Sequence, residues 1–309
     1  MSNRYFINIF YNSDGLINMV VYENLEFEKY HGLGNDYIII NNIHYKIPEE
    51  NKKDLALKLC KVHFSIGADG LIFVCNSNKA DIRMQIFNND GTEAEMCGNG
   101  IRCFAKYVYE KDIVKKDEMN IETIKGINIA QLKVVNGIVE TVTIDMGPPI
   151  LEAEKIPVEL HSNVSQCINE EFVIIDRIFK FSAVSMGNPH AVIFIQEQLN
   201  DDDLNKYGAA IESHEYFPNK TNVEFVKVLS REEANLRVFE RSVGVTNSCG
   251  TGTCAAVVAG ATLGLFKKNS PIMVHNDGGD LIITYTGRTV LMEGPVEKIF
   301  RGKIDKVEI

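Results

Sequence analysis

The stretch C-G-N-G-I-R-C-F-A-K-Y-V, from Cys97 to Val108, decides how the first half of the chain folds. Apolar residues recur here at the i, i+3, i+4 and i+7 spacing of one helix face, at Ile101, Phe104, Ala105 and Val108. We therefore expect a helix over residues 99–111, with Cys97 just before it. The motif C-G-T-G, from Cys249 to Gly252, repeats this setting before a nearly all-apolar run, which predicts a buried helix over residues 252–266.

A weak internal duplication surrounds these two motifs. The motif G-N-D at Gly34–Asp36 precedes the first cysteine, and G-N-P at Gly187–Pro189 precedes the second. Asn35 and Cys97 are 62 positions apart (97 − 35), and Asn188 and Cys249 are 61 apart (249 − 188). Self-similarity at matched intervals indicates repeated structure, so the two cysteines should occupy equivalent positions in two similar halves.

Short strand-like runs make up most of the remaining pattern, with one more helix expected over residues 51–63. Strands are expected over residues 37–41, 70–75, 81–87, 137–145, 191–195, 222–228, 235–239 and 281–285. The fold class is α/β (α+β). We expect two pseudo-symmetric lobes, each a mostly antiparallel curved sheet around a central helix, with the active site in the cleft between them.

The Gly-Pro-Pro sequence at residues 147–149 is the expected hinge, because proline interrupts both helices and central strands. It separates an N-terminal lobe over residues 27–147 from a C-terminal lobe over residues 148–294. A strand over residues 295–309 is expected to return to the first lobe. Residues 1–26 form an extension, either an added strand or the product of a start site upstream of Met19.

Composition excludes several classes of protein. The net charge of −10 is spread along the chain without a basic stripe, which argues against a nucleic-acid partner. Residues 1–25 lack the features of a secretory signal, and the apolar run from Cys254 to Phe266 fits a core helix better than a membrane span. The seven cysteines contain no C-x-x-C pair. We therefore expect a cytoplasmic protein without a membrane segment, disulfide framework or metal site.

The two cysteines carry the chemistry. A cysteine before a helix meets unpaired backbone N–H groups and the positive end of the helix dipole, which stabilise its thiolate. The N–H groups that follow, at Gly98, Asn99, Gly250 and Thr251, are available for a carboxylate. If both helix starts hold one amino-acid centre, one thiolate removes the α-proton and the other thiol protonates the opposite face. This predicts a cofactor-free racemase or epimerase.

Six stretches resemble the diaminopimelate epimerase family, from about Phe27 to the C-terminus. They are K-Y-H-G-L-G-N-D-Y (29–37), H-F-S-I-G-A-D-G (63–70), F-N-N-D-G-T-E-A-E-M-C-G-N-G-I-R-C (87–103), M-G-N-P-H (186–190), T-N-V-E-F (221–225) and V-F-E-R-S-V-G-V-T-N-S-C-G-T-G (238–252). The resemblance implies interconversion of LL- and meso-2,6-diaminopimelate in lysine and peptidoglycan precursor biosynthesis, by a homodimer without pyridoxal phosphate or metal.

The same resemblance implies residue roles. Cys97 and Cys249 would be the acid–base pair, and the substrate would contact Asn35, Asn88, Gly98, Asn99, Asn188, Asn222, Glu240, Arg241, Gly250 and Thr251. An Arg fork suits the distal carboxylate of this substrate, and carboxylate or amide oxygens suit its ammonium groups. Each asparagine is also compatible with a turn. His190 is either a helper near a cysteine or a structural histidine, and Asp36 and Asp69 are interpreted as turn or capping residues.

Three positions depart from the family pattern: Val245 stands where Glu is usual, and Ser242 and Ser65 where Gly is common. Val245 therefore puts polar contacts near the second cysteine in doubt. Related enzymes remain alternatives, namely an epimerase of lanthionine or a proline-type racemase, although proline racemases have His where this chain has Asn99. From a different class, a thiol redox or metal-binding protein remains the alternative.

Overall fold

A computed structural model describes residues 6–12, 15–94, 97–160 and 164–309. The chain divides into two compact units. The first comprises the described residues up to Val142 together with Val296–Ile309, and the second comprises those of Thr143–Pro295. The division falls a few residues before the Gly-Pro-Pro sequence.

The first unit is a mixed sheet with three helices among its described residues. Its strands are β1 (Phe6–Asn12), β2 (Gly15–Gly32), β3 (Asn35–Asn41), β4 (Gly70–Cys75), β5 (Ile82–Asn88), β6 (Glu93–Ala94), β7 (Glu118–Thr123), β8 (Gly126–Val135), β9 (Ile138–Asp145), which crosses the division, and the last strand of the chain, β19 (Glu297–Glu308). Its helices are α1 (Asn42–Tyr45), α2 (Glu49–Leu59) and α3 (Gly98–Glu110). Strand β2 pairs antiparallel with β3 and β19, β3 pairs parallel with β4, and β4 pairs antiparallel with β5.

The second unit repeats this plan. Its strands are β10 (Glu170–Ile174), β11 (Arg177–Ser185), β12 (Pro189–Phe194), β13 (Asn222–Ser230), β14 (Glu233–Glu240), β15 (Gly244–Thr246), β16 (Pro271–Asn276), β17 (Gly279–Tyr285) and β18 (Val290–Pro295). Its α-helices are α4 (Asp201–Glu212) and α5 (Gly250–Thr262), and a 3₁₀ turn spans Ala153–Lys155. Strands β11 and β12 pair antiparallel, β12 and β13 parallel, and β13 and β14 antiparallel.

The helices α3 and α5 occupy the cores of their units. Every residue of α3 from Gly98 to Tyr109 is buried, as is every residue of α5 from Gly252 to Ala261. Each unit therefore surrounds a buried helix with strands that pair mostly antiparallel. The expected fold class, a mixed α/β chain of two similar lobes with more strand than helix, is confirmed.

Two helices end earlier than the sequence predicts, and two, the short α1 and the longer α4, were not predicted. Helix α2 ends at Leu59 instead of His63, because His63 has a left-handed φ of 68° that cannot continue an α-helix. Helix α5 ends at Thr262, shortly before Gly264 with its φ of 76°. Helix α4 begins at Asp201, and the side chain of its N-cap residue Asn200 accepts a hydrogen bond from the backbone N–H of Asp203.

The extension and the C-terminal strand both add to β2. Strand β1 pairs antiparallel with the first part of β2, from Phe6 opposite Val21 to Asn12 opposite Gly15. Strand β19 pairs antiparallel with the rest, from Glu297 opposite His31 to Glu308 opposite Val21. Within the described ranges, no helix has the length and apolarity that would let it span a membrane.

Candidate active site

Cys97 stands at the N-terminus of α3, where its extended backbone (φ −134°, ψ 123°) leads into the helix at Gly98. Cys97 is partly exposed, while Gly98 and Asn99 in the first turn are buried. The first N–H groups of a helix have no partner within the helix. The thiol is therefore placed beside a cluster of backbone donors and the positive end of the α3 dipole.

Tyr37, on β3, contacts the Cys97 sulfur. The phenol oxygen lies 2.9 Å from Cys97 Sγ and also within hydrogen-bonding distance of Asn35 Oδ1. Burial, and next the negative charge of the Cys97 thiolate, raise the pKa of Tyr37 well above its ordinary value. Tyr37 therefore remains a protonated donor. Sequence reasoning missed this residue, although it follows Asn35 by two positions and so shares its face of the strand.

The amide of Asn35 is held in one orientation. Its Nδ2 donates to Asp69 Oδ2 at 2.7 Å, and the same carboxylate oxygen accepts the backbone N–H of Asp36 at 3.0 Å. Lys29 forms an ion pair with Asp36 at 2.7 Å. Asn35 Oδ1 consequently faces Tyr37 and Asn99 Nδ2, which lies 3.5 Å away. Asp36 and Asp69 thus orient a candidate ligand in addition to shaping the turn.

A buried arginine supports the first turn of α3. Arg102 is 0% exposed, and its guanidinium donates to Asn99 Oδ1 at 2.8 Å and to the Gly98 carbonyl at 3.2 Å. These bonds fix the Asn99 side chain next to Asn35. Arg102 was not singled out from sequence, because within the apolar helix pattern a single charged residue resembles a solvent-facing one.

Asn88 has a different setting from the other candidate ligands of the first unit. It is exposed at the end of β5, and its amide donates to Thr92 Oγ1 at 3.0 Å. Its backbone N–H donates to the Thr92 carbonyl at 2.8 Å. In this structure Asn88 therefore closes a tight turn with an accessible side chain.

Cys249 occupies the equivalent place at the N-terminus of α5, with φ −116° and ψ 110°. It is more deeply buried than Cys97, at 8% exposure, and its sulfur lies 3.4 Å from Thr251 Oγ1. Burial, followed by the charges of Glu240 and Glu224, raises the pKa of Cys249 well above its ordinary value, against the opposing hydrogen bonds from Thr251 and the Gly252 N–H. The neutral thiol is favoured here.

His190 and Glu224 form a fully buried pair near this cysteine. His190 Nδ1 lies 2.7 Å from Glu224 Oε1, and both side chains are 0% exposed. His190 Nε2 lies 3.0 Å from Asn188 Oδ1, and Asn188 Nδ2 donates to Thr251 Oγ1 at 3.3 Å. Each ring nitrogen thus lies opposite an oxygen, a carboxylate oxygen at Nδ1 and an amide oxygen at Nε2. Glu224 was missed from sequence.

Gly252 allows this carboxylate to approach α5. A Cβ atom at this position would lie 2.5 Å from Glu224 Oε1, closer than real Cβ contacts. Only glycine therefore lets Glu224 pack against the first turn of the helix. The other carboxylate oxygen, Oε2, is buried and has no hydrogen-bond partner among the residues that the structure describes.

The amide of Asn222 connects β12 to the loop after β14. Its Nδ2 donates to the Pro189 carbonyl at 2.9 Å, and its Oδ1 accepts the Arg241 backbone N–H at 3.0 Å. The Arg241 guanidinium is exposed, with Nη1 3.4 Å from the Asn219 carbonyl. Glu240 Oε1 accepts from Thr246 Oγ1 at 2.5 Å. Asn222 thus fixes the base of Arg241 and leaves its guanidinium accessible.

The departures from the family pattern have distinct settings. Ser242 adopts a left-handed φ of 65°, the conformation that favours the glycine common at this position. Val245 is 37% exposed and pairs across the strands with Phe239. Ser65 is exposed, and its backbone N–H donates to the Lys61 carbonyl at 3.0 Å.

The asparagines next to the two cysteine motifs have matching contacts. In the first unit Asn35 contacts Tyr37 and Asn99, and in the second Asn188 contacts His190 and Thr251. Tyr37 and His190 each follow the asparagine by two residues, on strands β3 and β12 that each pair in parallel with a neighbour. The duplication inferred from sequence thus corresponds to a repeated side-chain arrangement.

The remaining cysteines have no comparable setting. Burial raises the pKa of Cys60, Cys103 and Cys167 to about 12. All seven cysteines are free thiols. Over the ranges that the structure describes, no group of three or more His, Cys, Asp or Glu side chains is arranged to hold a metal ion.

Solved structures of low sequence identity share this fold. A Bacillus anthracis phenazine biosynthesis protein of the PhzF family aligns over 91% of this chain and 99% of its own, with a TM-score of 0.67 and 17% identity. A hydroxyproline epimerase from Agrobacterium vitis aligns over 92% of each chain, with a TM-score of 0.62 and 14% identity. The chain therefore shares the overall fold of these proteins.

Sequence relatives identify the family to which the chain belongs. The family model for diaminopimelate epimerase matches residues 27–152 and 182–299. A diaminopimelate epimerase from Bacillus cereus is 46% identical over 89% of this chain and 96% of its own, and one from Pelotomaculum thermopropionicum is 46% identical over 90% and 98%. The chain belongs to the diaminopimelate epimerase family, which confirms the resemblance seen in the motifs.

Proposed function

We propose that this protein converts LL-2,6-diaminopimelate to the meso form in lysine and peptidoglycan precursor biosynthesis, with Cys97 and Cys249 as its acid–base pair and without a cofactor. The observation that carries the proposal is the matched position of the two cysteines. Each stands at the N-terminus of a buried helix, beside an asparagine held by a neighbouring strand. The relatives at 46% identity carry the name of this activity.

The proposed chemistry is a transfer of one proton to each face of the α-carbon. One cysteine thiolate takes the α-proton and becomes a thiol, while the other thiol gives its proton to the opposite face and becomes a thiolate. The N–H groups of Gly98, Asn99, Gly250 and Thr251 bind the α-carboxylate and stabilise the charge that develops on it. No net proton is consumed, and the two cysteines end in exchanged protonation states.

We assign the resting protonation states from the surroundings of each sulfur. Cys249 is the thiol, because burial and the Glu240 and Glu224 carboxylates raise its pKa. Cys97 is proposed as the base that removes the α-proton, because it is partly exposed at a helix N-terminus and the Tyr37 phenol oxygen lies 2.9 Å from its sulfur. In this assignment the resting enzyme can start the reaction direction in which Cys97 removes the α-proton and Cys249 protonates the opposite face.

The distal end of the substrate needs a different set of contacts. The accessible guanidinium of Arg241 suits the distal carboxylate, which it can bind with two parallel hydrogen bonds. The oxygens of Glu240, Asn35, Asn88, Asn188 and Asn222 suit the ammonium groups, either directly or by orienting the ligand. His190 is assigned a supporting role near the second cysteine. Its ring contacts the candidate ligand Asn188 and is held in place by Glu224. From the family we propose a cytoplasmic homodimer.

Turnover of LL-diaminopimelate in heavy water tests the proposal. The product should carry one solvent deuteron at the inverted centre. Cys97→Ala and Cys249→Ala should each reduce turnover by at least the roughly 10²–10⁴-fold that acid–base catalysis supplies. Cys75→Ala, at a partly exposed cysteine on β4, is the control and should keep its activity.

Two outcomes would contradict the proposal. Full epimerase activity in either cysteine variant would exclude the two-cysteine mechanism. Faster turnover of lanthionine or proline than of diaminopimelate would instead assign a related epimerase or racemase activity.

A further inference from the structure

The Tyr37 hydroxyl lies between two acceptors and has one proton to donate. Cys97 Sγ is 2.9 Å from the phenol oxygen, and Asn35 Oδ1 is also within hydrogen-bonding distance. The sulfur itself lies 3.7 Å from Asn35 Oδ1, a longer contact in which the thiol can donate to the amide oxygen. The phenol is therefore the closest link between the cysteine and the asparagine.

The surroundings leave few alternatives for this hydrogen bond. Asn35 Nδ2 is engaged by Asp69, so the amide presents its oxygen, an acceptor, to the phenol. Tyr37 is buried and its pKa is raised well above the ordinary value, so the phenol keeps its proton across the working pH range. Its proton therefore points either to Asn35 Oδ1 or to Cys97 Sγ.

Two glycines fix the ring in this position. A Cβ atom at Gly70 would lie 3.1 Å from Tyr37 Cε1, and one at Gly100 would lie 3.4 Å from Tyr37 Cζ. The ring thus packs against the backbone of both β4 and the first turn of α3. This packing holds the hydroxyl beside the sulfur.

We propose that Tyr37 is a positioning residue for Cys97, whose hydroxyl donates to the sulfur when Cys97 is a thiolate and to Asn35 when Cys97 is a thiol. In the second state the thiol S–H donates to the phenol oxygen. Both donors, the thiol and the phenol, then have an acceptor. The proposal rests on the proposed acid–base role of Cys97. It adds that each proton transfer at the sulfur reorients a hydrogen bond to the Asn35 ligand.

The second cysteine has a different donor. His190 holds the place of Tyr37 but bonds Asn188 and Glu224, and the donor next to Cys249 is the Thr251 hydroxyl at 3.4 Å. The shorter contact, 2.9 Å against 3.4 Å, makes Tyr37 the stronger donor of the two. The two cysteines are therefore chemically different despite their matched backbone positions.

Iodoacetamide labelling of Tyr37→Phe tests the proposal without substrate or turnover. Because the thiolate is the reactive form, the labelling rate at each sulfur, followed by mass spectrometry, reports its thiolate fraction. In Tyr37→Phe the pH midpoint of Cys97 labelling should rise by about one pH unit. Below the midpoint, this shift makes labelling roughly tenfold slower. The Cys249 midpoint should stay unchanged. Tyr30→Phe, which removes the buried hydroxyl bonded to Glu28, is the matched control and should shift neither midpoint.

An unchanged Cys97 midpoint in folded Tyr37→Phe would overturn the proposal. If Tyr37→Phe does not fold, 3-fluorotyrosine at position 37 gives a test of opposite sign, since a more acidic phenol is a stronger donor and should lower the midpoint. No shift there would equally overturn it. The two proposals can fail separately. An inactive diaminopimelate assay would contradict the proposed function without changing the labelling result, and an unshifted labelling midpoint would contradict the role of Tyr37 without changing the heavy-water test.

A kinetic readout separates positioning from simple structural support. In the direction in which Cys97 removes the proton, the acid limb of kcat/KM against pH should move up in Tyr37→Phe by the same amount as the labelling midpoint. A uniform loss of activity at every pH, without movement of this limb, would contradict the proposal.

Discussion

Glu224 Oε1 lies 2.7 Å from His190 Nδ1, and neither side chain is exposed to solvent. A buried hydrogen-bonding group that loses its partner is costly, by about 1–3 kcal/mol. Glu224→Ala should therefore lower the free energy of unfolding by about that amount. Glu224→Gln should lower it less, because the amide oxygen still accepts from Nδ1. Urea denaturation of both variants measures the difference, and equal small losses would show that the hydrogen bond to His190 Nδ1 contributes little to stability.

The first turn of α5 should tolerate a methyl group less well than that of α3. In Gly252→Ala the new Cβ meets Glu224 Oε1 at 2.5 Å, whereas in Gly100→Ala the nearest atom is Ile86 Cδ1 at 3.1 Å. Overpacking of this kind costs about 1–3 kcal/mol. Gly252→Ala should be the less stable variant in urea denaturation. The reverse order would mean that Glu224 moves away at little cost.

Thiol reactivity in the native protein should differ among the cysteines. Cys97 is partly exposed, Cys249 is 8% exposed, and burial raises the pKa of Cys103 to about 12. We expect iodoacetamide at neutral pH to modify Cys97 at least about tenfold faster than Cys249, with Cys103 unmodified until the protein unfolds. Peptide mass spectrometry over time measures this order. Early modification of Cys103 would contradict the placement of α3 in the core.

The backbone at Ser242 offers a stabilising substitution. Its φ of 65° is unfavourable for a residue with a Cβ atom, by roughly 1 kcal/mol. Ser242→Gly should raise the free energy of unfolding by up to about 1 kcal/mol, less the entropy that glycine adds to the unfolded chain. Ser242→Ala keeps the Cβ atom and should give no gain. A thermal melt compares the three proteins, and equal effects of Gly and Ala would argue against relief of backbone strain.

His275 should make stability depend on pH in a defined direction. Hydrogen bonds to Glu233 and then Asp280 raise its pKa above the ordinary value. A group whose folded-state pKa is raised stabilises fully below its unfolded pKa, about 6.5 for histidine, and loses this contribution as pH rises through the folded value. His275→Gln should therefore destabilise the protein more at about pH 5.5 than at about pH 8.5. A pH-independent difference in unfolding free energy would contradict this.

Local patterns in the sequence were enough to find the helices that carry the cysteines. Apolar periodicity and the C-G-x-G motifs set the expected starts of α3 and α5 close to Gly98 and Gly250. Helix α4 escaped notice because three aspartates and Gly208 interrupt its pattern, although Asn200 and the acidic first turn mark its start.

The side chains that support the cysteines were harder to predict. Tyr37 and Glu224 look like ordinary strand residues, and their roles arise from neighbours far along the chain, Cys97 for one and His190 for the other. No local period encodes such a contact. Asn222 was found for its motif, whereas its hydrogen bonds to Pro189 and Arg241 depend on the parallel pairing of β12 and β13.

The pairing of β19 with β2 joins residues 297–308 to residues 21–31. The whole second unit must therefore be translated before β19 is available to complete the sheet of the first unit. Until then β2 has an open edge, which is the kind of surface that chaperones shield and that seeds aggregation in a nascent chain. Messages truncated before the codon for Glu297 should thus yield insoluble protein even though every residue around Cys97 has been made.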